Sequence, residues 1–526
     1  MRGPRRPLLL AALAAAGLGL ASPSSLPSLC GLLVLPGLAA LFLLCMRERC
    51  ALWVWLAGVA ELAFVSRSLV HVVGPGIVAI AMVGAVYWLC VRGFVRAFAR
   101  AGAPALGFAC GVAVTEWLRA HMPEIPYPHA QPCHVLAAWP PLLGPLRFGG
   151  EPFANFLLAW IAARAVTAAR RRASLAVGVG GFALSCVLFW LGGGAPSDRA
   201  PSLRVQLWQS QQPLPGQGED QRRSAYAALQ DATAQALGGA GASLPDLVVW
   251  PESSLPSAAY GPTPRFRPQL ALGLPPATRL LASSVRVDQH RLWAIAALCD
   301  GRGALLDWQE KRVPVPVGER IPGLGLLPEA WAERLLDWCT GVVGFRPDLE
   351  PGGARPPLTV GDGVRVGALI CFDNAFDRVV RREVEAGARL LVVLSNESWY
   401  EDGVELDQML AMSACRAVET GTPLLRSTVD GLTCAISARG EVLARLPRGR
   451  TGAPASLGMT VPLGPGALPP LAWLHDVVLV LLLSSTLFAL AQRFRRWGRL
   501  APSHPAADLP VLDPGALDSS APHRRP

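Results

Sequence analysis

Long apolar stretches, separated by short polar loops, dominate the first 194 residues and return once near the C-terminus. Predominantly apolar stretches of this length are typical of helices that cross a membrane. The pattern predicts eight spans, at about 7–21, 27–45, 51–66, 77–98, 103–118, 152–168, 173–193 and 471–491. Arginines precede the first stretch, as in a signal peptide, but the spans that follow favour an uncleaved anchor.

Between the last two spans, short apolar runs with strand character alternate with helical patterns, which predicts one layered α/β domain. The predicted strands are Leu203–Gln209, Leu247–Trp250, Leu280–Val287, Leu292–Leu298, Val364–Cys371 and Leu390–Ser395. The predicted helices are Ser224–Leu237, Phe376–Ala386 and Val404–Glu419.

The chain is thereby divided into four parts. These are a bundle of about seven spans at 1–194, an α/β domain at 195–468, a C-terminal span at 469–499 and a tail at 500–526. The tail is rich in Pro, Ala, Ser and Asp, so it has too little apolar content to pack, and we expect it to be disordered in the cytoplasm.

Composition and charge agree with this division. The 526 residues are 52% hydrophobic and 16% charged, which fits a membrane protein with one sizeable aqueous domain. Short cytoplasmic loops collect positive charge. The arginines concentrate in every second connection between spans, which puts them on one side of the membrane. Those predicted to face the cytoplasm are Arg2, Arg5, Arg6, Arg47, Arg49, Arg92, Arg96, Arg100, Arg164, Arg170, Arg171, Arg172, Arg493, Arg495, Arg496 and Arg499.

This alternation places the α/β domain outside the cytoplasm. The net charge of +10 then reflects membrane topology and contact with lipid headgroups, so we expect no nucleic-acid partner. The domain's five cysteines are Cys299, Cys339, Cys371, Cys415 and Cys434. An odd number leaves at least one thiol unpaired in a monomer, within a compartment that can be oxidising.

Three strand ends in the domain carry reactive side chains. Glu252 follows Trp250-Pro251 after one strand, Lys311 precedes a turn rich in proline and glycine, and Cys371 ends an apolar strand. A carboxylate, an ammonium and a thiol on three strand ends can meet at one rim of a sheet. Taken singly, each has a plain alternative as a loop carboxylate, a loop cation or a small buried apolar residue.

Lys311 is distinctive because it is the only lysine among 48 lysines and arginines, so 47 basic positions are arginine. A guanidinium is a wide, planar fork, whereas an ammonium is a compact point charge on a flexible stem. Genomic drift toward arginine could leave one lysine anywhere in the chain. The position of Lys311 beside a conspicuous turn instead favours a role that arginine cannot fill.

Taken together, Glu252, Lys311 and Cys371 resemble the Glu-Lys-Cys triad of the nitrilase superfamily, in the same chain order. With membrane spans on both sides, the chain resembles the apolipoprotein N-acyltransferase family of bacteria. Further stretches that extend the resemblance are Thr115–Arg119, Gln206–Pro213, Leu394–Tyr400, Gln408, Arg416–Gly421 and Pro423–Arg426. The resemblance implies a four-layer α-β-β-α sandwich over a bundle of eight spans.

The same resemblance implies the chemistry. Cys371 would attack an ester to form a thioester, Glu252 would act as base, and Lys311 would stabilise the oxyanion. Glu319 resembles the second glutamate of the family, although a turn carboxylate paired with Arg320 is the alternative. Phe372 and Asp373 follow the nucleophile as supporting residues.

The implied acyl donor is a phospholipid, and the implied acceptor is the amine of a diacylglyceryl-cysteine at the N-terminus of an apolipoprotein. The resemblance implies ping-pong kinetics and a protein of the bacterial inner membrane with a periplasmic catalytic domain. The sequence gives no support for a metal or other cofactor, and we expect a monomer.

Several positions depart from the family pattern. Phe372-Asp373 stands where the family has Tyr-Glu, Gln408-Met409 replaces Gln-His, and Val429-Asp430-Gly431 replaces an Asn-rich turn.

Two other functions therefore stay open. The first is a membrane-tethered carbon–nitrogen hydrolase of the amidase type, and the second is a catalytically altered homologue that binds lipoproteins.

Overall fold

The computed structural model describes residues 5–74, 76–167, 172–192, 201–211, 219–238, 244–256, 258–266, 274–275, 277–343, 346–400, 403–448 and 452–500. The predicted tail, apart from its first residue, lies outside these ranges. The N-terminal part is helical: α1 (Arg5–Ala21), α2 (Val34–Met46), α3 (Ala51–Val65), α4 (Val70–Val73), α5 (Gly76–Gly84), α6 (Val86–Ala99), α7 (Pro104–His121), α8 (Gly144–Thr167) and α9 (Arg172–Gly192). Short 3-10 helices at Ser28–Leu33, Arg67–Leu69, Pro132–Ala138 and Pro140–Leu142 join them.

Several of these helices suit a bilayer. Among the described residues, the stretches long and apolar enough to cross a membrane are Ser28–Met46, Gly76–Ala99, Ala173–Gly192 and Trp473–Gln492. Shorter apolar helices at Arg6–Ala21 and Ala51–Val65 coincide with two more predicted spans, and the predicted spans 103–118 and 152–168 fall on α7 and α8.

The α/β domain follows. Its helices are α10 (Glu219–Gly238), α11 (Glu329–Val343), α12 (Asp377–Glu385) and α13 (Val404–Thr420), and α14 (Trp473–Leu500) leaves it. Its strands are β1 (Ser202–Gln209), β2 (Leu247–Val249), β3 (Ala259–Tyr260), β4 (Arg265–Phe266), β5 (Arg279–Asp288), β6 (Arg291–Cys299), β7 (Leu305–Glu310), β8 (Leu358–Val360), β9 (Val364–Ile370), β10 (Leu390–Asn396), β11 (Leu424–Val429), β12 (Cys434–Ile436), β13 (Val442–Arg445) and β14 (Ala455–Pro462).

Two sheets form the centre of the domain. The first has the order β14-β1-β2-β5-β3-β4, with β6 paired to β5 and β7 to β6, and the second has the order β13-β12-β11-β10-β9-β8. One apolar core joins Val205 and Leu281 of the first sheet to Leu369 and Val392 of the second, so the sheets pack face to face. A separate core that includes Leu229 of α10 covers the outer face of the first sheet.

Helix α13 covers the second sheet and joins the domain to the bundle. Met409 and Met412 belong to the core of the domain, whereas Cys415 and Val418 belong to the core of the helical bundle. A helix that is buried on every side must satisfy two packing partners at once. The four layers are therefore α-β-β-α, as the family resemblance implied, and α13 fixes the sandwich on the bundle.

A kink in α8 shapes the same junction. Gly150 has φ +64° inside this helix, and a Cβ at Gly150 would lie 2.2 Å from Nδ1 of His475. Glycine is the residue that adopts this conformation without strain and leaves room for the imidazole. The kink lets Glu151 point into the interface between the bundle and α13, where its backbone N–H donates to Oε1 of Glu419 at 3.1 Å.

Candidate functional site

The structure brings the predicted strand ends together in one buried cluster. Glu252 follows β2, Lys311 follows β7, and Cys371 follows β9. Nζ of Lys311 lies 3.3 Å from Oε1 of Glu252 and 2.7 Å from Oε1 of Glu319. The charges of Glu252, Lys311 and Glu319 all act on the thiol of Cys371. The four side chains that the sequence singled out therefore share one site.

Glu252 is held at both carboxylate oxygens. Oε1 accepts from Lys311, and Oε2 accepts from the backbone N–H of Asn396 at 2.8 Å, at the end of β10. The side chain is 9% exposed, and burial raises the pKa of Glu252 although Lys311 opposes the shift. A carboxyl with a raised pKa holds a proton more readily than a solvated carboxylate, which suits a general base.

Lys311 is 1% exposed and lies between two carboxylates. Burial by itself lowers the pKa of an ammonium, but Glu252 and Glu319 raise the pKa of Lys311 well above its ordinary value. Lys311 is therefore a fixed positive charge. Glu319 also accepts from the N–H of Val315 at 2.7 Å, so it pairs with Lys311 rather than with Arg320, which binds Glu350.

Cys371 departs from its predicted secondary structure. The strand ends at Ile370, and Cys371 opens a 3-10 helix, Cys371–Ala375. Burial raises the pKa of the Cys371 thiol, the charge of Glu252 raises it further, and Lys311 lowers it. The resting thiol is consequently neutral, and a nearby base must remove its proton before it can attack.

Left-handed backbone conformations mark all three segments. Ser253 has φ +56°, Val317 has φ +65°, and Cys371 has φ +49°. These conformations are unfavourable for residues with a side chain, above all for a β-branched valine. Local strain of this kind concentrates where the surroundings hold functional groups in place, and here it occurs in the segments that carry Glu252, Lys311 and Cys371.

Asp373 ties two of these segments together. Its carboxylate accepts from the backbone N–H groups of Arg312 at 3.0 Å, Val313 at 2.8 Å and Ile370 at 3.2 Å. Burial raises the pKa of Asp373 to about 6, against the opposing effect of Lys311 and the N–H donors. Asp373 therefore binds the loop after Lys311 to the turn that carries Cys371.

Phe372 connects the site to the bundle. Its ring meets Phe376 edge-on, with centroids 4.9 Å apart, and stacks against His129, with centroids 6.0 Å apart. His129 belongs to the loop after α7 and is itself 5.2 Å from the ring of Tyr127. The turn that carries the thiol therefore packs against the loop that follows α7 of the bundle.

Sequence reasoning missed two members of this environment. The role of Asn396 rests on its backbone N–H, which no residue type reveals. His129 lies 243 positions from Phe372 in the chain, so no local pattern links them. Both contacts require the register of β10 and the docking of the domain on the bundle.

One group of side chains resembles a metal site. Donor atoms of Cys133, His134 and Glu151 lie within 4.8 Å of one another. Glu151, however, forms an ion pair with the guanidinium of Arg416 and accepts from Nε2 of His134 at 2.8 Å. The guanidinium already supplies the positive charge that a metal ion would bring, so this group fits a structural ion pair better than a metal.

Two family models match separate segments of the chain. A carbon-nitrogen hydrolase family model matches residues 226–454, and a model of the apolipoprotein N-acyltransferase N-terminal domain matches residues 16–164. The apolipoprotein N-acyltransferase of Geobacter metallireducens is 32% identical over 207 residues, which is 38% of each chain. That of Allorhizobium ampelinum is 27% identical over 353 residues, which is 63% of each chain.

The matched segments thus span 38% to 63% of the length of these two relatives. Among solved structures, an amidase from Nesterenkonia sp. AN1 is similar at 18% identity over 51% of this chain and 94% of that chain, with a TM-score of 0.33. The nitrilase-type character of the domain rests on its family model and on the packing of its two sheets.

Proposed function

We propose that this chain, which matches the carbon-nitrogen hydrolase model and the apolipoprotein N-acyltransferase N-terminal domain model in separate segments, transfers an acyl chain from a phospholipid to the N-terminal amine of a diacylglyceryl-cysteine in apolipoproteins. The observation that carries the proposal is the buried cluster of Glu252, Lys311, Glu319 and Cys371 above a helical bundle with several apolar helices. A site at this boundary can receive an ester from the membrane and exclude bulk water.

In the first half-reaction, Glu252 takes the proton of the Cys371 thiol as the sulfur attacks the ester carbonyl. The carbonyl oxygen becomes an oxyanion, which Lys311 stabilises with a fixed charge in a site of low water content. The intermediate then expels the alcohol oxygen of the lysophospholipid, which takes the proton from Glu252. The enzyme is left as an acyl thioester on Cys371.

In the second half-reaction, the amine of the acceptor attacks the thioester. Glu252 accepts the proton that the amine loses and passes it to the sulfur as the carbon–sulfur bond breaks. This restores the thiol of Cys371 and the carboxylate of Glu252 as the amide leaves. The kinetics are ping-pong because the lysophospholipid departs before the amine reacts. Glu319 holds Lys311 in place during both half-reactions. Asp373 keeps the turn that carries Cys371 bound to the loop that follows Lys311.

The proposal includes the location and the assembly. We expect a multi-pass protein of the bacterial inner membrane, with residues 195–468 on the periplasmic side and acting as a monomer without a cofactor. The arginine-rich loops support this orientation. A reporter that is active only in the cytoplasm should be active when it is fused after the C-terminal span. An inactive cytoplasmic reporter together with an active periplasmic reporter at the same position would refute this topology.

The test is intact-mass analysis of the purified protein with phospholipid, followed by a diacylglyceryl-cysteine peptide. Wild type should gain one acyl mass that hydroxylamine removes, and the peptide should then acquire it as an amide. Cys371→Ala should gain nothing, whereas the control Cys339→Ala, which alters a cysteine of α11, should behave as wild type. Release of free fatty acid instead of peptide acylation would indicate the amidase alternative, and a folded wild type without any adduct would indicate a non-catalytic homologue.

A further inference from the structure

Asp377 joins the segment that carries the thiol to two helices of the bundle. It is the first residue of α12, and Phe376 alone separates it from the Cys371–Ala375 turn. Nε2 of His121, the last residue of α7, lies 2.9 Å from its Oδ1. Nε2 of His475, in the first turn of α14, lies 3.2 Å from its Oδ2. One buried carboxylate therefore connects three parts of the chain that are far apart in sequence.

The protonation of His121 follows from its partners. Its Nδ1 faces the carbonyl oxygen of Trp117 at 2.9 Å, and its Nε2 faces the carboxylate of Asp377. Both partners are acceptors, so both ring nitrogens must donate, and the ring must be an imidazolium. Its face also stacks on the ring of Trp117, with centroids 4.8 Å apart, which fixes its direction.

A second contact supports the same docking. Nη2 of Arg381, one turn further along α12, lies 3.7 Å from Oδ2 of Asp476 in α14. Nη1 of Arg381 donates to the carbonyl oxygen of Ala472 at 3.4 Å. Asp377 and Arg381 thus place α12 on the start of α14, and Asp377 adds the link to α7.

We propose that Asp377 is a positioning residue that sets the height and orientation of the Cys371 turn over the bundle, so that an ester anchored in the bilayer reaches the thiol. This inference rests on the proposed function. Its physical basis is that a displacement of about 1 Å between nucleophile and substrate can cost roughly a hundredfold in rate. A dissolved ester can adjust to such a displacement, but a phospholipid held in the bilayer cannot.

The test compares two substrates at the same thiol in reconstituted vesicles. The first is the phospholipid of the vesicle, followed as thioester by intact mass, and the second is a short water-soluble p-nitrophenyl ester. Asp377→Asn should lower the rate with phospholipid by about tenfold to a hundredfold and leave the rate with the soluble ester unchanged. Asp377→Glu should restore part of the phospholipid rate because it keeps the charge.

Asp246→Asn is the matched control. Asp246 also forms an ion pair, with Arg204 at 2.7 Å, but it directly precedes β2 of the first sheet. This variant should keep both rates. Loss of both rates in Asp377→Asn, or of neither, overturns the positioning role. Wild type that forms no thioester from the vesicle overturns the proposed function and this inference with it, whereas an active wild type matched by Asp377→Asn overturns the inference alone.

A pH series gives a second readout. Burial lowers the pKa of His121, but the hydrogen bond and charge of Asp377 outweigh it, so the pKa of His121 is raised above its ordinary value. The ion pair is then complete below the ordinary pKa of histidine, about 6.5, and is lost as the pH rises through the raised value. The phospholipid rate divided by the soluble-ester rate should fall over that window in wild type and stay flat in Asp377→Asn.

The ratio removes the titration of Glu252 and Cys371, which affects both substrates alike. The other charged groups around the pair are Arg378, Arg381, His475, Asp476, Glu151, Arg416 and Glu419. His121→Gln should remove the slope of the ratio with pH. A ratio that stays constant in wild type would contradict the charged His121–Asp377 contact.

Discussion

Replacement of Lys311 by methionine tests the electrostatic core of the mechanism. Methionine has a similar length but no charge, and it fits a site where the lysine side chain is 1% exposed. The substitution removes the ammonium of Lys311, which lies 2.7 Å from Glu319 and 3.3 Å from Glu252. Loss of one oxyanion donor typically lowers a rate by about 10²–10³-fold, and we expect a loss of that size in thioester formation.

The same change should lower stability. Loss of one partner of a buried ion pair costs about 3–5 kcal/mol when the other charge stays unpaired. Here two carboxylates lose their counter-ion, and uptake of a proton by one of them offsets part of the cost. The apparent melting temperature of the Lys311→Met variant should therefore fall, and the fall should be smaller at low pH.

The assay is a single-turnover measurement of acyl mass gain on Cys371, with thermal unfolding measured on the same samples. Lys311→Arg is the companion variant, because it keeps the charge but places a wide guanidinium in a closed site. We expect this variant to lose most of the acylation rate as well. A folded Lys311→Met protein that acylates at the wild-type rate would refute the role of the ammonium, and a fully active Lys311→Arg protein would refute the need for a compact cation.

Two further changes test the remaining parts of the site. Burial raises the pKa of Glu252, and the base acts when it is deprotonated. The acylation rate of wild type should therefore rise with pH in a range above the ordinary glutamate pKa of about 4.3. Glu252→Gln should remove this rise, and a rise that persists in the variant would assign it to another group. Gly367→Ala should lower the free energy of unfolding by about 1–3 kcal/mol, since overpacking has a cost of that order. A Cβ at Gly367 in β9 would lie 2.8 Å from Cβ of Glu383, whereas Gly458→Ala, in the edge strand β14, meets nothing within 4 Å and is the control that should keep its stability. Equal stability of the two glycine variants would contradict the close packing of β9 on α12.

Much of the architecture could be predicted because it depends on local pattern. The strand predicted at Leu280–Val287 is Arg279–Asp288 in the structure, and the helix predicted at Val404–Glu419 is Val404–Thr420. Other elements were missed, among them the 15-residue helix α11, the eight-residue strand β14, the six-residue strands β7 and β11, and the strands β3 and β4, which have two residues each. Two residues carry too little periodicity to identify a strand, and their pairing is decided by the neighbouring strand β5.

The candidate chemistry was also visible in the chain. A single lysine, a glutamate after a strand and a cysteine at the end of an apolar run are properties of residue type and position. They predict a shared site because strand ends that carry them gather at one edge. Chain order does not reveal which partner each group binds, so the contact of Glu252 with the N–H of Asn396 became known from the register of β10.

The sequence by itself determined the apolar helices, the alternation of the α/β domain and the identity of the reactive side chains, because each depends on neighbours a few positions away. The tertiary structure alone decided the strained conformation of Cys371, the three N–H bonds to Asp373 and the docking of the domain on the bundle. The contact between His121 and Asp377 joins residues 256 positions apart. Contacts over such distances depend on how whole layers pack, because burial and charge pairing are satisfied between elements and leave no local pattern in the chain.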